Sequence, residues 1–248
     1  MSDKGKKKVL SRREALGMIG AAGAALSAAC NGDTPTSPTA TIPATTTTTT
    51  TTVPPASTNP PPTTASCSVT PTETIGPYPS LAEFVRSDIR EGKAGLPLTL
   101  VITVVNTHNA CAPIAGAAVD IWQCDVEGNY SEYGSERSQT YLRGVQTTDA
   151  NGRVTFTTVY PGWYQGRATH IHLEVTVNGR SAKVTQIAFP EDVTAAVYRS
   201  SVYASRGQNP TTNSRDNVFS DGVSQELVAL VGDTASGYSG TFQIGVPL

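Results

Sequence analysis

The sequence predicts an all-β fold: a single, mostly antiparallel β-sandwich over residues 66–248, after an export signal and a disordered Thr/Pro linker. Three observations carry this. Runs rich in β-branched residues recur at 98–105, 117–123, 153–159, 170–177 and 182–189, as strands require. Turn signals separate them: Glu127-Gly128-Asn129, Asn151-Gly152, Pro161-Gly162 and Asn178-Gly179. No long segment repeats with the period of an amphipathic helix, and only a short helix near 193–203 is expected. Several strands at such spacing argue for two packed sheets.

The elements follow in order. Residues 1–30 combine Lys4, Lys6, Lys7 and Lys8 with Arg12-Arg13, a weakly apolar stretch from Ala15 to Ala29, and then Cys30. A basic region, an apolar region and small residues in this order make an export signal. The Arg pair resembles the twin-arginine type of bacteria. Cys30 resembles the lipid acceptor of a bacterial lipoprotein, although Leu26 stands four residues before it and Ser27 holds the usual leucine place. Ordinary cleavage after Ala29, with free secretion, is the alternative. Residues 31–65 form a tether: the 15 Thr and eight Pro within 34–65, with Thr45 to Thr52 unbroken, cannot bury a core. Such a tether holds a domain off a surface, which favours the lipid anchor and a place on the outer face of the membrane.

From residue 66 the composition changes. The remaining length suits one substantial core, and its 12 basic and 17 acidic residues exclude the positive footprint of a nucleic-acid binder. No apolar run reaches the length of a membrane span, so a lipid anchor is the only membrane contact expected. Cys67, Cys111 and Cys124 allow three single-bridge pairings. Cys67 lies in the lead-in and Cys111 in a loop, so a Cys67–Cys111 bridge, which would pin the lead-in to the sheet, is the one expected. Cys124 ends a strand and is expected as a buried thiol.

The chemistry gathers around Thr169-His170-Ile171-His172-Leu173. On a strand, His170 and His172 point to one face while Ile171 and Leu173 point to the other. Two imidazoles side by side make a natural pair of metal ligands. Upstream, Pro161-Gly162-Trp163-Tyr164-Gln165-Gly166-Arg167 puts Tyr164 on a loop that could fold back over them. A three-histidine zinc site would need His108, which a Thr-His-Asn loop marks instead as solvated. A His/Tyr site selects a harder ion, because phenolate is an anionic oxygen donor suited to Fe(III). Trp122 and Trp163 read as packing residues.

Ala112 to Asp125 (APIAGAAVDIWQCD), then Gly128-Asn129-Tyr130-Ser131, Tyr141 to Thr147 (YLRGVQT), Pro161-Gly162-Trp163-Tyr164 and the H-x-H segment jointly resemble the intradiol ring-cleavage dioxygenases. Gly76-Pro77-Tyr78 resembles the family's lead-in, with Ile75 where a Glu is common. The resemblance covers most of 67–248 and is nearest to the exported branch, beside the catechol and protocatechuate enzymes. It implies a non-haem Fe(III) held by Tyr130, Tyr164, His170 and His172. It implies that Arg167 and Gln186 stabilise charge during reaction, and that Tyr78 lines the substrate pocket with Arg167. It further implies that Tyr164 leaves the metal and takes a proton when a catechol-type substrate chelates. O2 would then cleave the ring between the two hydroxyls to a cis,cis-muconate-type diacid. The segment from Tyr164 to Arg167 is shorter than in the protocatechuate enzymes. The helical dimerisation segment of the catechol enzymes is not expected here, and the oligomeric state stays open. Two other classes remain: a surface-displayed β-sandwich that binds iron or catechols without turnover, and a zinc enzyme using His108, His170 and His172.

Overall fold

In a computed structural model, residues 67–248 are described. The expected signal over 1–30, the lipidation of Cys30 and the tether over 31–65 lie outside these residues. Among the described residues, nine strands form two sheets. The first sheet contains β1 (Pro97–Asn106), β2 (Ala112–Pro113), β5 (Arg153–Val159), β8 (Ala229–Asp233) and β9 (Gly237–Val246). β1 is central: β5 and β2 pair with it antiparallel, and β9 pairs on its other side in parallel, with β8 outside β9. The second sheet runs β4 (Arg143–Thr147), β3 (Ala118–Trp122), β6 (His170–Val177), β7 (Arg180–Ala188), all antiparallel. A one-turn-plus helix, α1 (Glu191–Val197), follows β7. It ends before the expected 203, because the backbone turns over at Tyr198–Tyr203.

Period-two alternation builds the core. Leu98, Leu100, Ile102 and Val104 of β1 are buried, as are Val154 and Phe156 of β5 and Phe242, Ile244 and Val246 of β9. They meet Val119 and Ile121 of β3 and Ile171, Leu173 and Val175 of β6. The two sheets thus interdigitate their inward residues, as a sandwich must. The consequence for β6 is decisive. Its inward set is Ile171, Leu173 and Val175, so His170 and His172 stand on the outer face.

That outer face is nevertheless buried, because the lead-in folds back across it. Cys67 and Cys111 are joined by a disulfide, which anchors the start of the lead-in to the turn after β1. Glu73 N–H then donates to Val184 O of β7 at 3.0 Å. Gln186 Nε2 donates to Thr74 O at 2.9 Å, and Arg143 Nη1 donates to Tyr78 O at 3.0 Å. Residues 73–78 are tied down on both sides of the histidines.

Candidate metal centre

Register assembles the centre. His172 is the cross-strand partner of Trp122 on β3 and of Gln186 on β7, and side chains directly opposite one another share a face. Trp122 accordingly stacks on the His172 imidazole, ring centroids 5.0 Å apart and nearly parallel. Gly76, with φ +76°, lies against the Cε1 edge of that ring; a Cβ there would stand 2.6 Å from His172 Cε1. His172 Nδ1 has no hydrogen-bond partner among the described residues. Stacking on the indole and close approach of a glycine backbone at the ring edge therefore set this ring. His170 is held differently: its Nδ1 sits 2.6 Å from Ala168 O. Donation of Nδ1–H to that carbonyl leaves the Nε2 lone pair facing inward.

Two loops bring the phenols. After β3, Asp125 caps a turn by accepting Asn129 N–H at 2.8 Å, and the turn presents Tyr130. The Pro161-Gly162 loop presents Tyr164. These loops touch so closely that a Cβ on Gly162 would lie 2.2 Å from Asp125 O; glycine is required for the approach, whatever its φ. The Tyr130 and Tyr164 hydroxyls each come to 3.4 Å from His170 Nε2, and His172 Nε2 comes to 3.2 Å. Three donor atoms thus gather around a fourth, His170 Nε2. Donors arranged tetrahedrally about 2 Å from a shared ion stand about 3.3 Å apart, so these separations match a common metal better than a chain of hydrogen bonds.

The electrostatics agree with that chemistry. Burial pushes the Tyr130 phenol well above its ordinary pKa, reinforced by Cys124 and Tyr164. Burial also raises Tyr164, against the nearby Arg167. It pushes His170 down to about 3, with help from the Arg167 charge, and His172 well below its usual range. The imidazoles are therefore neutral with lone pairs available, and the phenols lose protons only to a strong cation. Two anionic oxygens and two neutral nitrogens suit a hard, highly charged ion.

Arg167 borders the cluster, with Nη1 3.5 Å from His170 Nε2. Its Nε donates to both oxygens of the buried Asp216, at 3.0 and 2.8 Å. Its Nη2 donates to Gln186 Oε1. Both ends of the Gln186 amide are thereby engaged, one by Arg167 and one by Thr74, so Gln186 orients Arg167. Tyr78 stacks on Tyr130 at 4.6 Å and meets Tyr164 edge-on. Tyr78, Tyr130, Tyr133 and Glu136 line an adjoining cavity of about 140 Å³. Cys124 is a buried thiol packed with Trp122 and Tyr130, and burial pushes it up to about 12. His108 is exposed in the turn after β1, and among the described residues no metal-capable cluster includes it.

Sequence reasoning missed two residues. Asp216 lies 49 positions beyond Arg167, in a loop without regular pattern; nothing local marks it. Arg143 is fully buried, paired with Glu132 at 3.1 Å and bonded to Ser131 O at 2.6 Å. Its guanidinium stands 6.0 Å from the Tyr130 ring and 5.4 Å from that of Tyr133. Its place within Tyr141-Leu142-Arg143-Gly144 was a signal, since an arginine opening a buried strand needs partners.

A family model described as dioxygenase matches residues 78–229. An intradiol ring-cleavage dioxygenase from Tetranychus urticae is 31% identical, over 73% of this chain and 95% of that one, with a TM-score of 0.66. The dioxygenase domain of a dioxygenase–carbohydrate-binding protein fusion from Streptomyces sp. SirexAA-E is 29% identical, over 73% and 99%, with a TM-score of 0.57. A chlorocatechol 1,2-dioxygenase of Rhodococcus opacus is 28% identical over 100 residues, 32% of this chain and 39% of that protein. The chain spans between 31% and 39% of the length of the curated relatives it matches.

Proposed function

Because the chain belongs to the intradiol dioxygenase family, we propose that it cleaves catechol-type aromatics between their two hydroxyls with O2, giving cis,cis-muconate-type diacids. The observation that carries this reading is the gathering of two phenol oxygens and a second imidazole nitrogen around His170 Nε2, beside a fixed guanidinium.

Tyr130, Tyr164, His170 and His172 would hold a non-haem Fe(III). Its chemistry, when bound, is to chelate both substrate oxygens and activate the ring toward O2. The chain's own residues do the rest. His170 and His172 sit on β6, His172 stacked on Trp122 and His170 bonded to Ala168 O, so they keep their positions. Tyr164 rides on a loop and is only half-buried. It is the donor able to swing aside and, as phenolate, to accept a substrate hydroxyl proton. Arg167, held by Asp216 and Gln186, places a fixed positive charge where the ring oxygens become anionic. Tyr78 and Tyr130 offer aromatic walls to a flat ring. We further propose export by a twin-arginine route and anchoring through Cys30, with free secretion as the alternative.

The test uses iron-loaded protein. Iron is quantified per chain, and a visible spectrum is recorded before and after catechol is added without oxygen. A red-brown charge-transfer band that catechol shifts, followed by oxygen uptake and a diacid product on admitting air, is the expected result. Tyr130→Phe or His172→Ala abolishes it. A colourless protein with iron or zinc bound removes the tyrosines from the centre and sinks the reading. Catechol retained without oxygen uptake supports a binding module instead.

A further inference from the structure

Three carboxylates from separate segments meet away from the Tyr/His cluster. Glu73 lies in the lead-in, Asp221 in the loop after Asp216, and Glu226 beside the end of β7; one oxygen from each lies within 4.8 Å of the others. Two oxygens on opposite sides of a Ca2+ ion, each at about 2.3–2.6 Å, span a similar distance. Glu226 supplies the independent observation. It is fully buried, Thr185 Oγ1 donates to its Oε1 at 3.0 Å, and its Oε2 has no partner. Among the described residues, no Lys or Arg forms an ion pair with any of the three. The charge of Arg167 acts on Glu73 less than burial and Asp221 do, and that guanidinium is already committed to Asp216. A buried carboxylate oxygen without a partner is costly, and two more carboxylates beside it compound the cost.

We propose that Glu73, Asp221 and Glu226 form a binding site for a hard divalent cation, Ca2+, separate from the Tyr/His cluster. The donors are all oxygen, as such an ion prefers, and the exposed side chain of Asp221 leaves room for water to complete six to eight ligands. Burial, with the charges of Glu73 and Asp221, pushes the Glu226 carboxyl up to about 7. The group therefore needs either a proton or a cation near neutral pH. The site clips three pieces of the pocket wall together. Glu73 precedes the Thr74 carbonyl that holds Gln186. Glu226 pairs its backbone with Ala188, the residue opposite His170. Asp221 follows the Asp216 that holds Arg167. The inference does not rest on the activity proposed above.

The test is calorimetric titration of the full chain with CaCl2 in metal-free buffer, with thermal melts alongside. The expectation is one Ca2+ per chain with Kd about 10⁻⁴ M, in the range of extracellular calcium modules. At 1 mM Ca2+ the melting temperature should rise by about 3–6 °C. Glu226→Gln, which keeps size and the Thr185 contact, and the exposed Asp221→Asn should each weaken binding at least about tenfold. The proposal is overturned by a wild-type chain that neither releases heat nor gains melting temperature. It is equally overturned by calcium binding that survives both substitutions, which places the ion elsewhere. A Glu226→Gln chain that is stabilised while wild type ignores calcium means that a shared proton occupies the site.

Discussion

Substituting Gly76 by Ala tests how the histidine pair is held. Gly76 has φ +76°, and its Cβ would stand 2.6 Å from His172 Cε1 and 3.3 Å from Nε2. An ordinary carbon–carbon contact is about 3.5–4.0 Å, so either the ring or the lead-in must give by about 1 Å. The ring is stacked on Trp122, so tilting it to escape disturbs that contact. The lead-in is tied at Glu73, Thr74 and Tyr78. A left-handed Ala costs about 1–2 kcal/mol in backbone strain alone, which lowers the melting temperature by about 2–8 °C. The larger effect falls on the site. Metal–ligand distances tolerate about 0.2 Å, and a 1 Å misplacement costs about a hundredfold in rate. Gly92→Ala is the control, since Gly92 has φ +75° in the same lead-in with no atom within 4 Å of its Cβ position. The assay is iron per chain, the visible band and oxygen uptake, beside a melt. Gly76→Ala should lose metal or turnover by about a hundredfold, while Gly92→Ala should lose only stability. If the two variants melt alike and both keep full metal and turnover, the packing argument for His172 is wrong.

Three further outcomes are expected. Asp216→Asn weakens the grip on Arg167, so kcat/KM should fall about a hundredfold with iron content unchanged; a fall that merely tracks lost iron would refute the positioning role. The Cys67–Cys111 bridge closes a separation of 44 residues, so Cys111→Ser should cost about 4 kcal/mol by loop entropy, read by urea denaturation; a cost near zero would mean that the lead-in is held by other contacts. Burial, with Glu174 nearby, pushes Asp120 up to about 7 in the fold, well above its value of about 4 when unfolded. The native state then binds the extra proton between these values, so this group's contribution falls as pH rises from about 4 to about 7. His170 and His172, lowered in the fold, act in the opposite sense on the acid side. Asp120→Asn should therefore stabilise the chain more at pH 8 than at pH 5, and a pH-independent difference would contradict this.

Much of the fold was legible. β5 and β6 coincide with the runs at 153–159 and 170–177, and β1, β3 and β7 fall within two residues of theirs. β-branched residues in a half-buried pleat announce themselves locally. β4, β8 and β9 did not. β9 carries Gly237, Gly240 and Gly245, and its inward Phe242, Ile244 and Val246 gain meaning only through parallel pairing with β1. That pairing is non-local, and no window of sequence contains it.

The sequence by itself determined the alternation that sends His170 and His172 to one face, because the two-residue period of a strand is a property of the backbone. Its motifs also marked Tyr130 and Tyr164. Only the tertiary structure decided that these four donors meet, since Tyr130 is 40 positions from His170 and loop closure is not encoded in spacing. Only it decided that Asp216 holds Arg167 and that Gly76 holds His172. Those contacts follow from where the lead-in and the loop after α1 pack across the sheet, and burial on that face is a sum over segments distant in the chain.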